Sequence, residues 1–589
     1  MNSNKYRALI FLAALVCLLG SVASGQVSDP EIPGPSDSIS FIGNSSISKY
    51  TLSEIKVRFS EKDGRLYPSS IGKDYIISNI EPTRLSPEAV SQILREISAH
   101  YQEVGIPATR AVVTKDAFYA SRSGEGLSIK IVEGKISKVR IVTDKLSGRL
   151  LDRKIKRIKR AVPIAEGEII DSKRLDGSLG VMNRFSRQHI QPVLVPENDG
   201  IVLEYRAHQK KETAISSKLD NYGSERTGNY RLYGSIDTWN LLTPDDHVNI
   251  KALTTLEGES SFVGAEYTIP LDLNSSNRIK IASHYSNYTA QDVGLGASGI
   301  DFEGQSVSAN ATYERTIGTH KGAYLDGFAS LRILDVEQDQ TGVGVAEGQA
   351  QYLLPSLGFK YSKMGTDTSF LIGAKIEGNL PDTVGTPDKQ DLQRLGRVNA
   401  ENDFLIASIY GLYQTYIDRF LGNDNKRAHQ IELVGSASSS LGSRLPPSFL
   451  GVIGGHNSVR GYPVASASGD SNAFLKFDYN FHIPRVMDLA KEQSNHRLKS
   501  LSPRFIGDFT ELDLTLGWFT DFGIVNNCDP LFFENDDRLW SAGLSVGFNY
   551  KDSLLFKLEY GWALRELENP IRRVDNGDGE FYLSLIYKW

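Results

Sequence analysis

The sequence predicts a mainly β protein: a 16-stranded antiparallel outer-membrane β-barrel over residues 211–589, preceded by two small α+β domains. Three observations point there. After about residue 211 helical periodicity disappears and strict two-residue alternation replaces it, so each segment has one apolar face and one small or polar face. About sixteen such segments follow, beginning near residues 213, 229, 247, 261, 278, 304, 321, 349, 368, 403, 429, 472, 511, 538, 553 and 580. Connections after odd-numbered segments are mostly long and those after even-numbered ones mostly short, the pattern of outer loops and periplasmic turns. Composition agrees, because 40% hydrophobic and 23% charged residues in 589 exclude a disordered chain. A single long apolar run excludes a bundle of membrane helices, each of which needs about 20 apolar residues.

That run, residues 8–19, follows Lys5 and Arg7 and ends at Ala23-Ser24-Gly25, the layout of a secretory signal peptide over residues 1–25. Its cleavage removes Lys5, Arg7 and Cys17, takes the formal net charge from −6 to −8 and leaves Cys528 as the lone thiol, so no intrachain disulfide forms. An acidic balance argues against a nucleic-acid partner. Residues 26–37, with Pro30, Pro33 and Pro35, read as an extended linker. In the first small domain, 38–134, a helix over 86–104 carries Val90, Ile93, Leu94, Ile97 and Tyr101 on one face, and Gly105 and Pro107 end it. Alternation at Leu127, Ile129 and Ile131 then marks a strand. The second, 135–210, combines a strand through Ile136, Val139 and Ile141, a basic helix over 151–160, a helix over 172–185 and strands over 190–195 and 201–205.

Barrel patterning is plainest near the C-terminus. Trp540, Ala542, Leu544, Val546, Phe548 and Tyr550 alternate with Ser541, Gly543, Ser545, Gly547 and Asn549. Aromatics gather near strand ends, as interfacial girdles require. A spanning sheet must close on itself, because lipid cannot satisfy the polar groups of a free edge. The final segment sets Phe581, Leu583, Leu585, Tyr587 and Trp589 on the apolar face, which looks like the terminal signal read by outer-membrane assembly machinery. One stretch misfits, since 485–505 is long and charged where a short turn is expected.

The long loop between the eleventh and twelfth segments contains Gly454-Gly455-His456-Asn457-Ser458-Val459-Arg460-Gly461-Tyr462, and the next segment contains Phe519-Thr520-Asp521-Phe522-Gly523. Alternation puts Leu512, Leu514, Leu516, Trp518 and Phe522 toward lipid, hence Asp513, Phe519 and Asp521 toward the lumen. Arg460 and Asp521 can therefore meet inside the barrel, where a planar guanidinium bonds a carboxylate with two arms and holds the loop in one register. These stretches resemble the VRGY-type sixth-loop motif and its strand partner in the two-partner secretion transporters (TpsB type, haemolysin secretion/activation family) and the related barrel-assembly insertases. Asp220-Asn221-Tyr222-Gly223 with Thr227-Gly228 is similar to the first hairpin of the two-partner transporters. Gly105-Ile106-Pro107 and Glu133-Gly134-Lys135-Ile136 resemble the landmarks of their POTRA domains, and two such domains fit before residue 210.

The resemblance implies secretion of one large exoprotein through the outer membrane of a Gram-negative bacterium. The POTRA domains would capture the exoprotein's N-terminal secretion domain in the periplasm, the barrel would conduct it and the sixth loop would lock the conduit. Outer-membrane lipid and, during biogenesis, the barrel-assembly machinery are the other implied partners. Two alternatives belong to other classes: an insertase that assembles other barrels, which usually carries more POTRA domains, and a passive porin. The chain departs from the family pattern in lacking a plug helix over 26–37, in ending on Trp589 rather than Phe, and in an over-long stretch at 56–83.

The basic run Arg153-Lys154-Ile155-Lys156-Arg157-Ile158-Lys159-Arg160 reads as a solvated helix face with Ile155 and Ile158 inward, or as a patch contacting passenger or lipid. Gly543-Leu544-Ser545-Val546-Gly547 matches a nucleophile-elbow string but lies in an alternating strand, where the strand-turn-helix that such a serine needs is missing. No phosphate loop, His-Glu-x-x-His or grouped metal ligands occur. Neither catalysis nor a metal or other cofactor is therefore expected.

Overall fold

The computed structural model describes residues 39–589 except 198–199, 291–300, 342–345, 386, 388, 423–425, 487–500, 502, 533 and 570–572. The expected signal peptide and linker, residues 1–37, lie outside the described residues. Two compact units divide the described chain after Lys210.

In the first unit, the strand Ile39–Ile42 runs parallel to Leu127–Glu133, which pairs antiparallel with Thr109–Val112. The helix Pro87–Val104 covers this sheet, burying Val90, Ile93, Ile97 and Tyr101. Its start is set by Ser86, whose Oγ accepts the Ala89 N–H at 3.0 Å, with Pro87 at the first helical position. Its end is set by Gly105, whose φ of 107° lets its N–H return to the Tyr101 and Gln102 carbonyls. The over-long stretch becomes a separate antiparallel sheet in which Lys56–Lys62 pairs with both Arg65–Pro68 and Lys73–Ile76. A second module follows, with Ile136–Lys145 parallel to Gly200–Gln209, Gln188–Glu197 antiparallel to the latter, and the helices Leu151–Ala161 and Ser172–Phe185. The basic helix buries Ile158 as its pattern implies, and Lys154 and Arg157 are buried with it, so its polar face is only partly solvated.

The second unit is a closed sixteen-stranded antiparallel barrel. Each observed strand starts within three residues of the start read from alternation. The strands used below are the first (Thr213–Asp220), second (Arg231–Trp239), sixth (Asp301–His320), seventh (Ala323–Thr341), eighth (Ala346–Met364), eleventh (His429–Ser439), twelfth (Ser471–His482), thirteenth (Leu512–Asn526), fourteenth (Arg538–Tyr550), fifteenth (Leu554–Ala563) and sixteenth (Gly579–Lys588). Alternation holds through the wall: Leu516, Trp518 and Phe522 are 46–47% exposed outside while Phe519 and Asp521 are fully buried inside. The barrel closes where Ser216–Asp220 pairs with Ser584–Lys588, a ladder of five residues against eight between the first and second strands. Strands six to eight run 19–20 residues, well beyond the 9–11 that cross a bilayer. The connection from the twelfth to the thirteenth strand is the long one that the short-turn rule does not accommodate. Among the described residues no helix is long and apolar enough to cross a membrane.

Candidate functional site

The sixth long loop leaves the eleventh strand, narrows to a two-stranded stem, Gly451–Ile453 with Ala467–Gly469, and turns into the lumen. At its tip Arg460 is 1% exposed. Its Nε and Nη2 each lie 2.7 Å from an Asp521 oxygen, and its backbone N–H donates to the same carboxylate at 3.0 Å. The remaining donors reach Asp478 on the twelfth strand (2.7 and 3.0 Å) and Glu559 on the fifteenth (2.7 Å). Phe519 carries the guanidinium over its ring at 3.6 Å. One loop cation thus bonds three strands.

Charge balances locally. Three carboxylates face Arg460, Lys476 and Lys557; Lys476 stands opposite Asp521 in the ladder and donates to the His456 carbonyl at 2.6 Å, and Lys557 lies 2.9 Å from Glu559. Burying such a set is costly unless the carboxylates are paired; Arg460 reaches all three, and His456 Nδ1 lies 3.0 Å from the other Glu559 oxygen.

Small residues let the loop come this close. Gly461 has φ 84°, and a Cβ there would stand 2.9 Å from the Gly561 backbone, while a Cβ on Gly561 would stand 2.8 Å from the Gly461 nitrogen. A Cβ on Gly523 would lie 2.6 Å from the Val459 side chain, so that glycine is the floor on which fully buried Val459 rests. The Gly461 N–H donates to the Tyr582 hydroxyl at 3.0 Å, and that hydroxyl donates to the Tyr462 carbonyl at 3.2 Å. The Tyr462 hydroxyl sits 2.6 Å from the Arg565 carbonyl oxygen and 3.0 Å from that of Trp540.

The structure brings the first-hairpin motif to the same place. Asp220 takes both arms of Arg231 (2.8 and 3.2 Å) and the Tyr222 N–H (3.0 Å), which aims Tyr222 inward to stack on His456 at 3.7 Å. Asn221 bridges the closure: its side chain donates to the Phe581 carbonyl and accepts the Leu583 N–H, each at 2.7 Å. Ser224 and Gly228 form the hairpin's bridge, and beside it a Cβ on Gly223 would overlap the Gly228 carbonyl. Phe581, Leu585, Tyr587 and Trp589 point outward, 37–57% exposed, and Leu583 shares their face.

The domain landmarks belong to the N-terminal unit, where they fix local packing. Glu133 accepts the backbone N–H groups of Ser45 and Ser46 (3.0 and 2.8 Å) and the Tyr101 hydroxyl (3.1 Å). A Cβ on Gly134 would strike the Ala108 carbonyl at 2.5 Å. Gly105 also accepts the Ser172 N–H at 2.7 Å, joining the two modules, and Pro107 lies exposed in the turn before Thr109.

Sequence reasoning missed Asp478, Glu559, Lys476, Tyr582 and Gly561. The available signal was parity, because each occupies an inward position in register with Asp521 or its neighbours. Ser545 of the elbow-like string lies mid-strand. Among the described residues no cluster of His, Cys, Asp or Glu is arranged to hold a metal.

A closed barrel with a loop arginine fastened to its inner wall fits the outer-membrane transporters of two-partner secretion, and the family match assigns the chain to that class. The chain belongs to the haemolysin secretion/activation protein family ShlB/FhaC/HecB, whose model matches residues 199–498. It is 23% identical over 460 residues to the outer membrane transporter CdiB of Dickeya dadantii (strain 3937), covering 73% of this chain and 72% of that one. The solved structure of CdiB from Escherichia coli is similar in fold, with a TM-score of 0.65 at 14% identity, covering 100% of this chain and 99% of that one. CdiB from Acinetobacter baumannii is similar too, with a TM-score of 0.59 at 15% identity over 99% of this chain and 97% of that one.

Proposed function

We propose that this chain secretes one large exoprotein across the outer membrane, its two N-terminal modules acting as periplasmic POTRA domains that capture the exoprotein's secretion domain and its barrel acting as the conduit. Family membership supports the transport class. The observation that carries the finer reading is the pinned sixth loop: a lumen occupied by a loop on a buried arginine is poorly suited to passive diffusion and well suited to a conduit that opens for one client. The edge strands of the small three-stranded sheets support capture, since an extended segment can add to a sheet edge. Residues 1–25 direct export and are removed. Passenger folding outside the cell biases the movement, so no nucleotide is consumed.

Deleting the gene and quantifying both the secreted fraction and the outer-membrane proteome tests this. Loss of one secreted protein with other barrels at normal levels is expected. A general fall in outer-membrane proteins contradicts it and favours an insertase.

A further inference from the structure

At the long-loop end a second set of buried charges stands apart from Arg460. Arg397, in the fifth long loop, places two nitrogens on the Asp470 carboxylate (2.5 and 2.8 Å), a third 3.0 Å from Glu534, and donates to the Leu445 carbonyl at 2.7 Å. Arg444, at the start of the sixth loop, holds Glu534 with two arms (2.6 and 2.9 Å). Asp470, at the end of the same loop, also accepts the N–H groups of Leu445 (2.6 Å) and Cys528 (2.8 Å). The side chains of Arg397, Arg444 and Asp470 are 6%, 3% and 0% exposed. Three loops, the fifth, sixth and seventh, are tied at one knot.

What the knot holds is inside the barrel. Leu334, Tyr352 and Leu354 project from the inner faces of the seventh and eighth strands, where a water-filled lumen would wet them, yet Tyr352 and Leu354 are fully buried. Leu392 and Leu395 of the fifth loop, with Leu445 of the sixth, cover them. The loop lies against the wall there, for a Cβ on Gly348 of the eighth strand would stand 2.8 Å from the Leu395 nitrogen.

We propose that the segment 389–404 is a cork folded into the outer mouth of the barrel, and that Arg397, Arg444, Asp470 and Glu534 form the clasp that keeps it there, a second closure released separately from the Arg460 seat. This rests on the secretion reading. An apolar plug alone would leave with any extended chain pushing past it; the buried ion pairs give it one seated position, and they separate readily once water enters, because their stabilisation depends on a dry site. The clasp gates passage and takes no part in recognising the client.

The native thiol supplies the test. Ser440 Oγ, at the start of the sixth loop, lies 3.4 Å from Cys528 Sγ in the seventh, so Ser440→Cys sets a removable cross-link between the two loops that carry the clasp partners Arg444, Asp470 and Glu534. In full-length protein, oxidised Ser440→Cys is expected to cut passenger release at least tenfold, with reductant restoring it, while oxidant leaves wild type unaffected. In planar bilayers Arg397→Ala is expected to raise the conducting fraction several-fold, with normal heat-modifiable migration. Oxidised Ser440→Cys that secretes like its reduced form, failure of the two thiols to cross-link, or wild-type conductance in inserted Arg397→Ala overturns the clasp. If wild type and reduced Ser440→Cys both fail to release the passenger, the secretion reading fails instead, and the conductance arm still decides the clasp. If Arg397→Ala does not insert, the near-isosteric Ser440→Cys decides it.

Discussion

At Arg460 a single side chain replaces what would otherwise be many weak loop contacts. Its three acidic partners are buried, so removing it leaves uncompensated charge at a cost of about 3–5 kcal/mol. The sequence made Arg460 and Asp521 legible because each lies in a recognisable string, and parity placed Asp521 inside. It left Asp478 and Glu559 illegible as partners, since inward carboxylates are ordinary in a lumen and only the ladder register aligns these with the loop tip. Glu534 of the clasp makes a pH prediction at the same scale. Burial alone would raise its carboxyl, but Arg444, the Leu531 N–H and Arg397 outweigh that and hold it at about 2 against an ordinary 4.5. A lowered carboxyl contributes its stability fully above the ordinary value and loses it as pH falls through the lowered one. Channel conductance should therefore stay constant from pH 7 to about 5 and rise only as pH approaches 2. A rise centred near 4.5 contradicts the clasp geometry.

Among the elements, strands were readable and loops were not, for a physical reason. A strand between lipid and lumen must alternate, so its position is written in every second residue. The fifth loop's path into the lumen is written in contacts with residues far along the chain, Arg397 with Asp470 and Glu534, which no local period encodes. The extra sheet at 56–76 was visible only as surplus length. Closure of the barrel depends on a ladder of five residues extended by Asn221, whose side chain stands in for further pairing with Phe581 and Leu583. Replacing Asn221 with Ala removes two hydrogen bonds worth about 1 kcal/mol each. Amide exchange along 216–220 should then accelerate several-fold while exchange in the thirteenth and fourteenth strands stays unchanged. Equal protection in both proteins would show that the side chain does not secure the closure.

At the scale of the whole molecule, the proposed conduit is closed at its centre by the Arg460 seat and at its mouth by the clasp, in a chain whose family is that of the haemolysin secretion/activation proteins. The Arg460 seat differs from a simple pair, and that changes how it must be tested. Exchanging Arg460 and Asp521 would set a new carboxylate among Asp478 and Glu559, so a charge swap should not rescue function even though the original two partners are both present. The most direct measurement is passenger secretion by cells carrying wild type, Arg460→Ala, Asp521→Ala or the Arg460→Asp/Asp521→Arg swap, with barrel insertion read from heat-modifiable migration. The account predicts normal insertion and secretion reduced at least tenfold in all three variants. Wild-type secretion from inserted Arg460→Ala would contradict it.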